Sequence, residues 1–370
     1  MKTLHTIVWI FVLGVMTGAV VACRDHSIEN GPRQKIDRSA PLREYTWKSG
    51  TTGFTEWGKM NNGIWGIPVR SDKDKTAGRE WFHSWRWKGD TLVREPDVEI
   101  PVTLHVTPLQ NGAYLACLSP GNSYEGWPLV LSSFASPKEY RKKWDAPKKW
   151  SCDKIGGSRN GKFAAVLMKE GSYNYHIGLL DIAAQELRWV FGYYGKESGK
   201  EIYGWIGQVA VSDDGRFIAV LGWNHGTAIV DTAAGKMKWF KAPPEANNML
   251  YGIFSPDGLT LYAADSGGGC VFVLDAKTGE VIRQWYATTK GKSIYGQRVS
   301  CFTVSPDGNW LAAGTGPAGE VFLFDVNNPD NKPIMLPHGH GTTLIVNFSP
   351  DSKYLASVAG GVIKICAVPP

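Results

Sequence analysis

A short turn signature returns along this chain and restricts it to a repeat architecture. Phe254-Ser-Pro-Asp-Gly258, Val304-Ser-Pro-Asp-Gly308 and Phe348-Ser-Pro-Asp-Ser352 are near-copies, and Val211-Ser-Asp-Asp-Gly215 is a fourth. Each lies between two apolar runs. An early proline presets φ, the aspartate accepts backbone N–H groups, and glycine takes the left-handed position, so each copy predicts a tight hairpin between strands. Weaker copies stand upstream at Asn160-Gly161, Asn111-Gly112 and Asn62-Gly63. The second residues of these pairs, at 63, 112, 161, 215, 258, 308 and 352, are 49, 49, 54, 43, 50 and 44 residues apart.

Those intervals match or slightly exceed the length of one four-stranded propeller blade. In the fifth repeat the strands read as residues 251–254, 260–265, 270–275 and 280–285, with Gly-rich turns between them. The fourth aligns at 216–222, 227–231 and 236–240, and the third at 175–181 and 186–191. With 43 Gly, 21 Pro, 16 Trp, 14 Tyr and 14 Phe, the composition also favours short strands and tight turns over long helices. After Asp351 only two strands remain, at 354–358 and 362–368, so the last blade lacks its outer strand. Ahead of the first hairpin, residues 43–48 (REYTWK) form an orphan strand. Pairing it with the last blade closes the ring and hides an open edge. The expected fold is all-β: a seven-bladed β-propeller of four-stranded blades over residues 43–370, closed by its N-terminal strand.

The first residues carry a different message. Lys2 supplies a positive start, and Ile7 to Val21 form an uncharged apolar run of signal-peptide length. Val20-Val21-Ala22-Cys23 resembles the bacterial lipobox, in which small residues precede a cysteine that becomes the lipidated N-terminus. The resemblance implies a signal peptide over 1–22, a lipid anchor on Cys23 and attachment to a membrane without spanning it. The alternative is an ordinary secretory signal with an incidental cysteine. Arg24 follows the cysteine, so the expected address is the cell envelope, at the outer membrane. Residues 23–42, polar and broken by Pro32 and Pro41, read as the lipidated cysteine and a flexible tether.

The repeats resemble two families. The hairpins and the terminal run GHGTTLIVNFSPDSKYLASVAGGVIKIC are similar to WD-repeat blades, with Gly339-His340 at the Gly-His position and Lys364-Ile365-Cys366 where Trp-Asp would end a strand. The third to fifth repeats also resemble quinoprotein blades: Asp231…Gly235…Trp239, Asp275…Gly279…Trp285, and a glycine-less Asp181…Trp189 with Gln185 at the turn. Both resemblances imply the same fold. The first implies a binding or scaffold module, the second a quinone- and calcium-dependent enzyme.

Motifs for chemistry are sparse. Gly314-Thr-Gly316-Pro-Ala-Gly319 fits G-x-G-x-x-G, but a strand follows it where a dinucleotide site needs a helix N-terminus. No G-x-S-x-G elbow occurs. Cys117, Cys152, Cys270, Cys301 and Cys366 show no zinc spacing and read as buried thiols, with disulfide pairing left open. His338 and His340 are the one close histidine pair, and the Gly-His blade role accounts for His340. Asp181, Asp231, Asp275 and Asp325 recur at one blade position and are expected to cap turns rather than catalyse. A net charge of +6 is too mild to imply nucleic acid. No catalytic residue, metal or cofactor is therefore expected.

Binding residues are a different matter. Gly199-Lys-Glu-Ile-Tyr-Gly204 returns as Gly291-Lys-Ser-Ile-Tyr-Gly296, with a shorter echo at Leu250-Tyr-Gly252, each just before an inner strand. Those connections open beside the central channel. Tyr203, Trp205, Tyr251, Tyr295 and Arg298 are thus expected to line one channel mouth and to bind a protein, peptide or glycan. The competing reading packs the tyrosines between blades. Residues 138–150 (KEYRKKWDAPKKW) are expected to form the solvated outer strand of blade two, rather than a site for acidic partners or lipid headgroups. The function this predicts is an envelope-anchored, monomeric, non-catalytic binding or scaffold propeller. The alternative is a propeller enzyme of the quinoprotein dehydrogenase or lactonase type.

Overall fold

The computed structural model describes residues 43–46, 54–60, 63–68 and 79–370, apart from 97, 102, 110–111, 119–125, 138, 172–173, 195–205, 223–225, 244–245, 247–248, 266, 288–297, 317–318, 338–341 and 360–361. The leader and tether (1–42) and Cys23 lie outside the described residues. So do Tyr203, Trp205, Tyr295, His338 and His340.

Strands form seven antiparallel sheets. In each, strand a is innermost and strands b, c and d follow outward. Six sheets take strands a to d in chain order. The seventh uses Thr343–Phe348, Tyr354–Ala359 and Val362–Ala367, and takes its outer strand, Arg43–Thr46, from the other end of the chain. Arg43 lies opposite Ile365, Tyr45 opposite Ile363 and Thr46 opposite Val362. The last blade's open edge is thereby covered, as the orphan strand predicted. The inner strand of blade seven also meets Phe54–Met60, the inner strand of blade one. Across that junction Asn347 Nδ2 donates to the Gly63 carbonyl at 2.6 Å.

Both faces of every blade are covered by neighbours, so inner strands read as apolar runs rather than alternating ones. Phe217–Gly222, strand b of blade four, is buried along its whole length. Side chains leave the two faces alternately, and the core divides into seven clusters among the described residues, one at each seam. Leu221, Ile229, Phe254, Phe272 and Trp239 fill the seam of blades four and five.

The hairpins between strands a and b repeat atom by atom. Ser212 Oγ donates to Asp214 Oδ1 at 2.6 Å and accepts the Phe217 N–H at 2.9 Å, while Asp214 Oδ1 accepts the Arg216 N–H at 3.0 Å. Ser255/Asp257, Ser305/Asp307, Ser349/Asp351 and Ser158/Asn160 make the same three bonds. The left-handed turn position is glycine at 161, 215, 258 and 308, and Ser352 fills it in the last copy at φ 62.

Two elements differ from expectation. Blade two's outer strand is only Lys142–Trp144, and Trp150 already begins the inner strand of blade three. Pro147 offers no N–H to extend the ladder, and a turn with Lys149 at φ 70 redirects the chain, the Trp150 N–H donating to the Pro147 carbonyl. Blade one carries an extra strand, Val98–Pro101, paired with Arg79–Lys88.

Candidate functional site

The ring has two unlike faces. The a–b hairpins and c–d turns lie on one, and the b–c turns and the connections between blades lie on the other.

On the hairpin face, polar groups are committed to the fold. Asp231 Oδ1 accepts the N–H groups of Ala233 and Ala234, and Asp275 those of Lys277 and Thr278. Asp181 and Asp325 cap their turns in the same way. The backbone bond from Ala234 holds the Asp231 carboxyl below its ordinary range, and that from Thr278 does the same for Asp275. These four aspartates serve as turn caps, as their recurrence predicted.

The hairpin-side mouth of the channel is bridged. Arg159 Nη2 meets Asp213 Oδ2 at 2.8 Å, and its Nη1 donates to the Pro306 carbonyl at 3.0 Å. Blade three is thus tied to blade four and, across the ring, to blade six. Asp213 Oδ1 also accepts the Asn160 N–H at 2.8 Å. The sequence carried a signal for this group that went unread. Arg159, Asp213 and Pro306 hold one position in three copies of the hairpin, and the two of these three that depart from proline carry opposite charges.

On the opposite face two of the five expected mouth residues are described. Tyr251 sits at a bulge in Met249–Phe254, opposite Ala264, and packs against the core between blades five and six. Burial pushes its phenol up, and Cys301 adds to the effect. Its ring is therefore engaged in packing at this seam. Arg298 is exposed just before Val299–Val304, and its carbonyl accepts the Gly316 N–H at 2.8 Å. That bond ties the entry to blade six to the 314–319 turn. Gly319 there has φ 64 and leads straight into the strand Glu320–Asp325, which leaves no helix N-terminus to receive a pyrophosphate.

Inner strands are stitched together below this face. Gln208 Oε1 accepts the Gly252 N–H at 2.8 Å, Ser300 Oγ donates to the Thr343 carbonyl at 2.5 Å, and Thr107 Oγ1 to that of Ile155 at 3.3 Å. Among the described residues no group of three His, Cys, Asp or Glu side chains is placed to hold a metal. A cavity between blades three and four is lined by Leu167, Tyr175, Ile177, Phe191 and Ile206, with the Tyr175 phenol pushed up to about 12 by burial and then by Asp153. It offers packing surface and no activated nucleophile.

The quinoprotein-like Asp…Trp spacing hides two geometries. Trp239 lies opposite Ile229, is buried, and donates its Nε1–H to the Ala276 carbonyl of blade five at 3.0 Å. Trp285 likewise reaches the Pro329 carbonyl of blade six at 3.1 Å. Trp189 does not follow them. In blade three the register shift falls later, so Arg188 takes the place opposite Leu179 and donates to the Thr232 carbonyl at 3.1 Å. Trp189 then falls opposite Gly178, on the face toward blade two, and is 43% exposed. It meets Trp150 edge-on at 5.2 Å, and Trp150 stacks on His176 at 3.7 Å.

Comparison with known proteins agrees with the architecture. Residues 288–325, which run from the entry of blade six through its third strand, match the family model described as WD domain, G-beta repeat. The fold is similar to that of the β-propeller domain of Cps50 (Swd1) from Myceliophteria thermophila, at 12% identity and a TM-score of 0.60, covering 88% of this chain and 100% of that one. It is also similar to a chain of the mitotic checkpoint complex, at 13% identity and a TM-score of 0.61, covering 93% and 98%. Curated proteins provide no sequence match.

Proposed function

We propose that this protein is a non-catalytic propeller that binds a protein partner on the face formed by the b–c turns and the connections between blades. The observation that carries this reading is the asymmetry of the ring. On the hairpin face the recurring aspartates are committed to turns, and Arg159 spans the channel mouth. The opposite face presents exposed Arg298, and the sequence reading expects Tyr203, Trp205 and Tyr295 beside it. Aromatic side chains beside a cation offer large contact area at low entropic cost. A similar fold within a multi-protein assembly supports a protein partner over a small substrate. The leader and Cys23 place the ring on an envelope membrane in this proposal, with residues 24–42 as its tether. Peptide and glycan ligands are the other occupants to be tested.

Capture of partners from envelope extracts by residues 24–370, compared with Tyr203→Ala/Tyr295→Ala and with Arg298→Ala, tests the face. Loss of the captured protein with an unchanged melting temperature is expected. Retention of every interaction by both variants would assign binding elsewhere. Detergent-phase partitioning of the full chain, abolished by Cys23→Ser, is the expected signature of the anchor.

A further inference from the structure

Five cysteines are described and all are in the thiol state. Two of them meet. Cys117 lies in the second strand of blade two, Ala113–Leu118, and Cys152 in the inner strand of blade three, Trp150–Gly157. Both belong to the cluster that fills the seam between these blades, at 0% and 5% exposure. The two strands that carry them touch across this seam. Cys117 Sγ is also 3.9 Å from the Trp127 carbonyl oxygen. The register shift between Cys152 and Lys154 places Cys152 opposite Met168, a second sulfur side chain of the same cluster. The other three cysteines are placed elsewhere. Cys270 accepts from Gln284 Nε2 within blade five, Cys301 contacts the Thr343 carbonyl between blades six and seven, and Cys366 lies in blade seven.

We propose that Cys117 and Cys152 are a redox pair whose oxidation staples blade two to blade three through a disulfide. The oxidant is a small-molecule or protein disulfide. One protein thiolate attacks it, forming a mixed disulfide and releasing one thiol. The second protein thiolate then attacks the mixed disulfide at the protein sulfur and releases the other thiol. Two protein S–H groups are thereby oxidised to one S–S bond, while the oxidant is reduced to two thiols.

Burial raises the Cys152 thiol well above its ordinary range, and the neighbouring Cys117 thiol adds to the rise. Cys152 in the closed seam therefore carries little thiolate, and the seam admits no bulky oxidant, so the bond forms while the seam is forming. It then closes the chain between residues 117 and 152 and removes freedom from the unfolded state.

The test refolds the full chain with glutathione disulfide and glutathione, alkylates remaining thiols, and maps peptides by mass spectrometry. A reducible link between the Cys117 and Cys152 peptides, with the other three described cysteines alkylated, is expected. Alkylation of both, or linkage of either to Cys270, Cys301 or Cys366, would overturn the proposal. A melt of the oxidised chain roughly 5–10 °C above the reduced chain is expected. The variant Cys117→Ser/Cys152→Ser should lose that redox dependence, and keeping it would also overturn the proposal. Peptide mapping of the parent stands whether or not that variant folds.

Discussion

The seam between blades four and five and the seam between blades two and three are built from the same strand order and solve the same problem differently. In the first, an indole from the outer strand crosses to the next blade. Trp239 donates to Ala276 and lies against Gly279, where an added Cβ would come within 2.7 Å of its ring. Apolar side chains fill the rest. In the second, the matching tryptophan belongs to blade three and turns back toward blade two, and the seam takes in thiols, a histidine and charged neighbours. His105 is pushed down to about 4 by burial and then by Lys154. Burial pushes the Asp153 carboxyl up, against the nearby lysines. One seam is a dry lock, while the other responds to protons and oxidants.

The largest effect should come from breaking the dry lock. Trp239→Ala removes a buried indole and leaves the Ala276 carbonyl without this donor, a loss of about 3–5 kcal/mol. Thermal unfolding should show a midpoint lower by roughly 10 °C. Trp189→Ala, the same substitution at the same motif position, should cost less, about 1 kcal/mol, because Trp189 is 43% exposed where Trp239 is buried. Equal losses in the two variants would erase the distinction between the seams.

Acid should act on the other seam. Burial holds His105 at about 4, below the ordinary histidine value of 6.5, so the native state binds its proton less readily than the unfolded chain. Its contribution is complete above pH 6.5 and is lost as pH falls toward 4, roughly 3 kcal/mol in all. Asp153 has the opposite sign, since its raised pKa favours the native state as its carboxyl protonates. Denaturant unfolding between pH 7 and pH 4 should therefore show a fall in stability that His105→Phe suppresses. A fall unchanged in that variant would locate the acid sensitivity outside this seam.

How much of this could be read from residues alone follows from where each signal is written. Turn chemistry is local: a Ser, an Asp two residues later and a left-handed glycine define a hairpin wherever they occur, so blade count and closure were legible. Register is not local. Asp181…Trp189 and Asp231…Trp239 have identical spacing, and only the position of the bulge decides which way the indole faces. Tyr251 shows the same limit, because one extra residue in a strand changes what its ring packs against. Arg159 lay between these cases, since its partner occupies the same hairpin position one repeat on.

A smaller effect sharpens the contrast at the turns. Gly279→Ala places a Cβ at φ 72 and into the Trp239 ring, and should cost about 2 kcal/mol. Gln185 holds the corresponding place in blade three at φ 53 with a side chain already present. Gln185→Gly should then change stability by less than about 1 kcal/mol, in the stabilising direction. Denaturant midpoints of the two variants check the pair.

Everything described depends on a ring that closes through strand Arg43–Thr46. Thermal unfolding of residues 24–370 beside residues 54–370 measures that closure. Without its outer strand, blade seven should expose the edge of Val362–Ala367, and the midpoint should fall by roughly 10 °C or more with loss of a single sharp transition. Two superimposable melting curves would contradict closure by the leading strand.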